Sequence, residues 1–382
     1  MTGDRPRLLA VVSRFKWVHI NYLKALEAHF EVRLAWSGEG GRGAPLDALG
    51  EGLSGAPLGT LREDGEEAVR EALRAQIESF RPDAIHVMYY NHDALTLMAR
   101  ELCGDVPLLY ECRDPQTTLS GAEPGSDAWE REGGAIRASD AQVLVSRALR
   151  DYLEDAHELD LSSTSAIVPF GFARATIAAP SPKLSARDGR VHIALVGTAD
   201  DAPGHGRWYV DIIRRLVDQG LVVHSHFFEP PRFDMGDLDL TPYHELDDAL
   251  GDYHFHDAVP HRQGTTLSRL VSRYDLMGVF HDLAAAKHNE SATLAVCLPT
   301  KAVCGWCLGG IPTVCFPHYR GVVEWVKELG LGFVIGDWDD LSALAADRAA
   351  IAAATERCLS SRELFTNEHN AGVIRELVAP LL

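Results

Sequence analysis

The stretch Leu298 to Gly336, LPTKAVCGWCLGGIPTVCFPHYRGVVEWVKELGLGFVIG, constrains the fold more than any other part of the chain. Pro299-Thr300 suits a helix start, since Pro fits the first turn and a hydroxyl can cap it. Ala302 to Leu308 reads as a small-residue helix ended by Gly309-Gly310. Ile311 to Phe316 is apolar and bounded by Gly and Pro, the mark of a buried strand. Gly321 opens a second helix, Val322 to Leu329, with Glu324 in its first turn, and Gly330 to Ile335 returns to strand. Helix, strand, helix and strand joined by short links build a parallel sheet covered on both faces. Two helix N-termini then point at one sheet edge, one carrying Lys301 and the other Glu324.

A helix N-terminus with a lysine makes a site for a phosphate or diphosphate. A carboxylate at the neighbouring N-terminus can accept hydrogen bonds from a ribose or sugar hydroxyl. The plainer alternatives are a solvated first-turn lysine and a glutamate that only answers the helix dipole. Both readings stand at this level.

A chain of 382 residues exceeds one ordinary core and fits two domains of about 150–200 residues each. The net charge of −19 is spread evenly, with 18 Lys/Arg against 28 Asp/Glu in residues 1–175 and 18 against 27 in the remainder. Neither half offers the basic face that nucleic acid or anionic lipid requires. Seven cysteines are present, and Cys297, Cys304, Cys307 and Cys315 lie in apolar surroundings. Cys304-x-x-Cys307 has the form of a metal or redox pair, but no second pair stands at zinc spacing, so buried reduced thiols are expected. The N-terminal apolar run is too short for a signal peptide and no window reaches the length of a membrane span, which points to a cytoplasmic protein.

In the first half, strands are expected at Arg7 to Ser13, Glu31 to Trp36, Ala84 to Met88, Val106 to Glu111, Ser139 to Val145 and Ile167 to Pro169. Helices alternate with them, and Ser37 to Gly59 reads as a glycine-rich mobile loop or lid. This pattern predicts a doubly wound α/β domain, whose ligands sit past the carboxyl ends of the strands. The polar residues there are the candidates: Ser13, Arg14 and Lys16; Asn91, His92 and Asp93; Glu111, Arg113 and Asp114; Ser146 and Arg147.

Ala178 to Gly189, rich in Pro, Ser and Ala, reads as the linker between domains. Val191 to Val196 is a new first strand, followed by a loop from Gly197 through Thr198 to Arg207 and a helix from Tyr209. Strand, Gly-containing loop and helix suit phosphate binding. The loop spells neither G-x-G-x-x-G nor G-K-[ST], which disfavours a nicotinamide cofactor and a P-loop. His224-x-His226 shares one strand face but has no evident third ligand, so no metal is assigned. His281 follows the strand Asp275 to Phe280. The expected domains are 1–177, a linker at 178–189, 190–360, and a terminal helix over 361–382 with a crossing back onto the first domain open to it.

Two doubly wound domains facing across a cleft resemble a GT-B glycosyltransferase, and the second half is similar to glycosyltransferase family 4. The resemblance rests on Ala194-Leu195-Val196-Gly197, His256 to Val259, and Tyr274-Asp275-Leu276-Met277-Gly278. It continues through Pro299, Lys301, Gly310, Pro312 and Val314, and through Gly321, Glu324, Gly330 and Gly332. Val168-Pro169-Phe170-Gly171-Phe172 echoes the family's segment before the linker. The first of the family's two spaced glutamates falls at Phe316, Ser13-Arg14-Phe15-Lys16 replaces a Gly-Gly loop, and Arg113-Asp114 stands where His-Asp is frequent. The chain thus resembles a divergent member.

The resemblance implies a nucleoside-diphosphate sugar as donor, transferred with retention of configuration and without a metal or other cofactor to a small or soluble acceptor. Donor contacts would come from Gly197, Thr198, Arg207, His281, Thr300, Lys301, Gly321 and Glu324. Lys301 would neutralise the diphosphate and Glu324 would hold the ribose. His92, Arg113, Asp114 and Lys301 would be catalytic, and Ser13, Arg14, Lys16 and Asn91 would face the acceptor. A nucleotide-sugar epimerase or hydrolase on the same fold, or a non-catalytic nucleotide-sugar-binding module, are the alternatives, since fold alone does not decide chemistry.

Overall fold

Strand β1 (Arg7–Val12) buries five consecutive residues, Leu8 to Val12, completely. A strand covered on both faces belongs in the middle of a parallel sheet. The first sheet adds β2 (Glu31–Ser37), β3 (Ser54–Gly59), β4 (Ala84–Met88), β5 (Leu108–Cys112), β6 (Ala141–Leu144) and β7 (Ser165–Ile167). All pairs are parallel, in the order β3-β2-β1-β4-β5-β6-β7. The second sheet holds β8 (His192–Thr198), β9 (Val222–Phe228), β10 (Tyr253–Phe255), β11 (Leu276–Val279), β12 (Thr313–Cys315) and β13 (Gly332–Val334). It is also all parallel, in the order β10-β9-β8-β11-β12-β13. This computed structural model describes residues 5–13, 17–37, 53–88, 92–200, 203, 206–228, 239–256, 259, 264–281 and 288–382.

Each sheet forms the centre of its own unit, one comprising Met1–Pro169 with Asn367–Leu382 and the other Phe170–Thr366. In the first unit, helix Asn367–Val378 packs on helix Trp17–Leu26 through Ala371, Ile374 and Val378, and Asn370 donates to the Pro169 carbonyl at 2.7 Å. The second unit has separate clusters on its two sheet faces, one around Tyr209, Phe227 and Tyr243 and the other around Val271, Tyr274 and Met277.

Four expectations need correction. Ser54–Gly59, read as loop, is strand β3 at the sheet edge, where Pro57 interrupts no central ladder; the intervening residues 38–52 lie outside those described. Residues 178–189 are not a free spacer, because Ala178, Ser181, Lys183 and Ser185 bond to Ser268, Ser272, the Tyr274 carbonyl and Asp275 of the second unit. The Ala-rich run from Leu341 to Leu359 has the pattern of one continuous helix, and it breaks at Asp347, whose carboxylate caps a new helix by accepting from Ala350 N at 2.9 Å. Ser291–Gly309 is long and apolar enough to cross a membrane, and two thirds of it is buried within the second unit as helical segments interrupted at residues 297–299.

One sheet face of the second unit carries five histidines on β8, β9 and the β10 edge. His192 Nε2 lies 3.1 Å from Asp188, His192 Nδ1 lies 2.8 Å from His224 Nε2, and His224 Nδ1 lies 2.9 Å from His256 Nε2. If Asp188 accepts, each ring in turn donates through Nε2 and accepts through Nδ1. Among the described residues, no group of three His, Cys, Asp or Glu is arranged to hold a metal ion. Burial, then the neighbouring rings of His192, His256, His254 and His226, push His224 down to about 2.

Between that value and the ordinary histidine value of about 6.5, the unfolded chain binds a proton that the folded chain does not. Stability from His224 is therefore full above about pH 6.5 and falls on acidification, by about 2 kcal/mol at about pH 5. Urea unfolding followed from pH 7 to pH 5 should show this loss, with a shallower slope in His224→Gln. A midpoint indifferent to pH over that range would contradict it.

Candidate functional site

In the second sheet the direction of winding reverses between β8 and β11, the position at which open parallel sheets present ligand crevices. β8 ends in Gly197 and Thr198, and Gly197 has φ +131°, a backbone conformation that only glycine adopts freely. Asp200 closes the following loop, since its N–H donates to the Arg207 carbonyl at 3.0 Å and its carboxylate accepts from Arg207 N at 2.9 Å. Tyr243 Oη donates to the Asp200 carbonyl at 2.8 Å from beneath. The loop thereby delivers the exposed Arg207 side chain and the buried Tyr209 ring to the carboxyl edge of the sheet.

A cavity of about 300 Å³ opens there, lined by Val196, Gly197, Thr198, Arg207, His281, Leu294, Pro299, Thr300, Lys301 and Cys304. Lys301 Nζ donates to Tyr209 Oη at 2.7 Å and lies 3.2 Å from His281 Nε2, whose Nδ1 lies 3.3 Å from Tyr319 Oη. Burial, and secondarily Arg207, push Lys301 down to about 7. Burial, then Lys301 and Arg207, hold His281 well below its usual value. Cys304, with its thiol pushed up by burial to about 12, forms part of the wall. All seven cysteines are buried thiols, none in a disulfide.

Of the donor-side candidates, Gly197, Thr198, Arg207, His281, Thr300 and Lys301 line this one cavity, whereas Gly321 and Glu324 do not. The second helix begins at Arg320, two residues earlier than expected, so Glu324 falls in its second turn. Gly321 serves packing: a Cβ there would stand 2.5 Å from the Cys297 carbonyl oxygen and 2.6 Å from that of Val296. Tyr209, Tyr319 and the Asp200 clamp escaped the sequence reading. The available signal was a tyrosine at a helix start just past a strand end, which an apolar pattern absorbs as core.

In the first unit, Arg14, Lys16 and Asn91 lie outside the described residues, as does the side chain of His92, the first residue of helix His92–Cys103. Ser13 is buried at the end of β1, and Asp114 is partly exposed. Arg113 is buried and bonds through Nε to Glu111, whose other oxygen lies 2.9 Å from His86 Nε2. Burial raises Glu111, but Arg113 and His86 outweigh it and hold the carboxyl at about 2. The segment after Arg113 is fixed by fully buried Glu132, which accepts from Thr117 Oγ1 at 2.6 Å and lies 3.0 Å from His157 Nε2.

Residues 20–161 match the family described as Glycosyl transferase 4-like domain. No curated protein matches the chain by sequence. Among solved structures, sucrose-phosphate synthase from Thermosynechococcus elongatus is 13% identical with a TM-score of 0.66, over 98% of this chain and 99% of that one. Alr3699/HepE of Anabaena, in complex with UDP, is 14% identical with a TM-score of 0.65, over 98% and 100%. The UDP-GlcNAc 2-epimerase of Neisseria meningitidis, bound to UDP-GlcNAc, is 10% identical with a TM-score of 0.55, over 98% and 100%. These likenesses establish the GT-B fold of two Rossmann-like domains. The matched segment, residues 20–161, lies within the first of these domains, and both the family match and the first two fold likenesses are to glycosyltransferases.

The contact at Gly321 gives a direct test. Gly321→Ala should destabilise the second unit by about 1–3 kcal/mol in urea unfolding, because carbonyl oxygens cannot yield as a flexible side chain can. A loss below about half a kcal/mol, the size of an ordinary surface substitution, would show that the helix slides freely.

Proposed function

We propose that the chain transfers a hexosyl group from a uridine-diphosphate sugar to a small or soluble acceptor, with retention of configuration and without a metal. The observation that carries this is the pairing of Arg207 and Lys301 on one cavity beside the open Gly197 backbone. Two cations over a glycine backbone suit a diphosphate, which needs charge compensation and close approach. In this reading Arg207 and Lys301 stabilise the departing diphosphate, supplying as fixed protein charge what a divalent ion supplies elsewhere. Thr198 and Thr300 offer hydroxyls to phosphate or ribose. Uridine is the base favoured, because HepE is solved with UDP and the epimerase with UDP-GlcNAc.

Acceptor binding and the remaining catalytic roles fall to the first unit. There Arg113, oriented by Glu111, and Asp114 lie just past the carboxyl end of β5 and His92 past that of β4. Seven thiols outside any disulfide suit a reducing compartment, in keeping with the cytoplasm. A second reading, epimerisation of the nucleotide sugar, draws on the likeness to the UDP-GlcNAc 2-epimerase.

Thermal unfolding with UDP, GDP and ADP tests the donor site. At a hundredfold excess over Kd, a bound nucleotide stabilises by about 2.7 kcal/mol. UDP should raise Tm, Lys301→Ala should remove the shift, and Glu324→Ala should keep it. No shift with any nucleotide by the folded protein would refute the donor site. UDP release from a UDP-sugar that requires an acceptor marks transfer, release without one marks hydrolysis, and an inverted sugar centre marks epimerisation.

A further inference from the structure

The surroundings of Lys301 carry more than a positive charge for an anion. Its Nζ donates to Tyr209 Oη at 2.7 Å and reaches His281 Nε2 at 3.2 Å. Donation to Nε2 requires the imidazole proton on Nδ1, where it meets Tyr319 Oη at 3.3 Å. Burial keeps both phenols protonated, and the imidazole is held neutral. The other groups around the amine are the Cys304 thiol, kept protonated by burial, His318 acting through His281, and Arg207. Among the described residues, the charged group that acts on Lys301 is thus Arg207, a like charge. A primary amine has two N–H groups, and with the His281 proton on Nδ1 they are taken by Tyr209 Oη and His281 Nε2. The remaining tetrahedral position of Nζ is a lone pair in the amine and a third N–H in the ammonium.

We propose, on the reading that this cavity takes a nucleoside diphosphate, that Tyr209 and the His281–Tyr319 pair are positioning residues. They present Lys301 as a proton-accepting amine, so that the diphosphate enters together with one proton. The Nζ lone pair takes that proton from the solvent buffer, forming an N–H bond aimed at a phosphate oxygen. The buffer acid gives up that proton and leaves as its conjugate base, and no bond of the nucleotide changes. The titration of Lys301 near about 7 sets the range in which this coupling is visible. Above it the site must gain a proton to bind, and below it the proton is already present.

Calorimetry with UDP-glucose in phosphate and in Tris buffer tests the coupling, since the diester diphosphate itself does not titrate between about pH 6 and about pH 9. At about pH 8 the binding heat should depend on the buffer and report uptake of close to one proton, with affinity falling toward tenfold per pH unit above the Lys301 value of about 7. Lys301→Arg, permanently charged, should bind with a buffer-independent heat. Tyr209→Phe removes an oxygen that bonds the ammonium more strongly than the amine, so it should move the midpoint to lower pH, which a merely structural role would not. Carbamylation by cyanate, mapped by peptide mass, needs no nucleotide, and Lys301 should label ahead of the exposed Lys327. UDP-glucose binding with a pH-flat, buffer-independent heat would overturn this inference and leave the donor site standing. Absence of binding at every pH would refute the donor site, and carbamylation of Lys301 no faster than that of Lys327 would overturn the inference by itself.

Discussion

An all-parallel sheet with helices on both faces must reverse its winding once, and there the two connections leave in opposite directions and open a crevice. In the second unit that reversal lies between β8 and β11. The cavity's composition follows from it. Gly197 and Thr198 end one strand, His281 stands two residues past the other, and Lys301 arrives on the short helix Thr300–Val303. Residues separated by about a hundred positions in the chain are brought within hydrogen-bond reach because consecutive strand ends share one edge. The Asp200 clamp adds the one non-regular part, a loop short-circuited by two hydrogen bonds between Asp200 and Arg207.

The buried charges of the Glu111 and Glu132 clusters and of Lys301 are handled in two different ways. In the first, Glu111 lies between Arg113 and His86, and Glu132 gathers a threonine hydroxyl, backbone N–H groups and His157. Such charges are compensated in place, and removing one partner would strand the other. In the second, Lys301 meets neutral rings and a like charge, and its ammonium is disfavoured as a result. Perturbed groups of this kind mark sites at which a ligand supplies the missing charge.

The sheet-forming runs were legible in the sequence because fully buried parallel strands are continuous apolar runs, as at Leu8 to Val12. Strand β3 was not, because SGAPLG has the composition of a turn and is held as strand by its neighbour β2 alone. Arg207 and His281 were legible as polar residues past strand ends, and Lys301 as a lysine at a helix N-terminus. Tyr209 and Tyr319 were not, since an aromatic residue at a helix start carries no mark distinguishing a packed ring from a hydrogen-bonding one. Glu324 was legible as a residue but not in its place on the helix. A start misplaced by two residues put it in the first turn, and on a helix two residues amount to about half a turn of the surface.

The same helix explains how packing far from any ligand governs the amine. Helix Arg320–Leu329 approaches the Val296 and Cys297 carbonyls so closely that only Gly321 fits. Tyr319, immediately before it, is the N-cap residue and is fully buried, so the helix's depth fixes where the phenol stands. That phenol lies 3.3 Å from His281 Nδ1, and when it accepts a proton there Nε2 is left as the acceptor for Lys301. A glycine outside this cavity thus bears, through a tyrosine and an imidazole, on the direction in which the lysine nitrogen presents its fourth position.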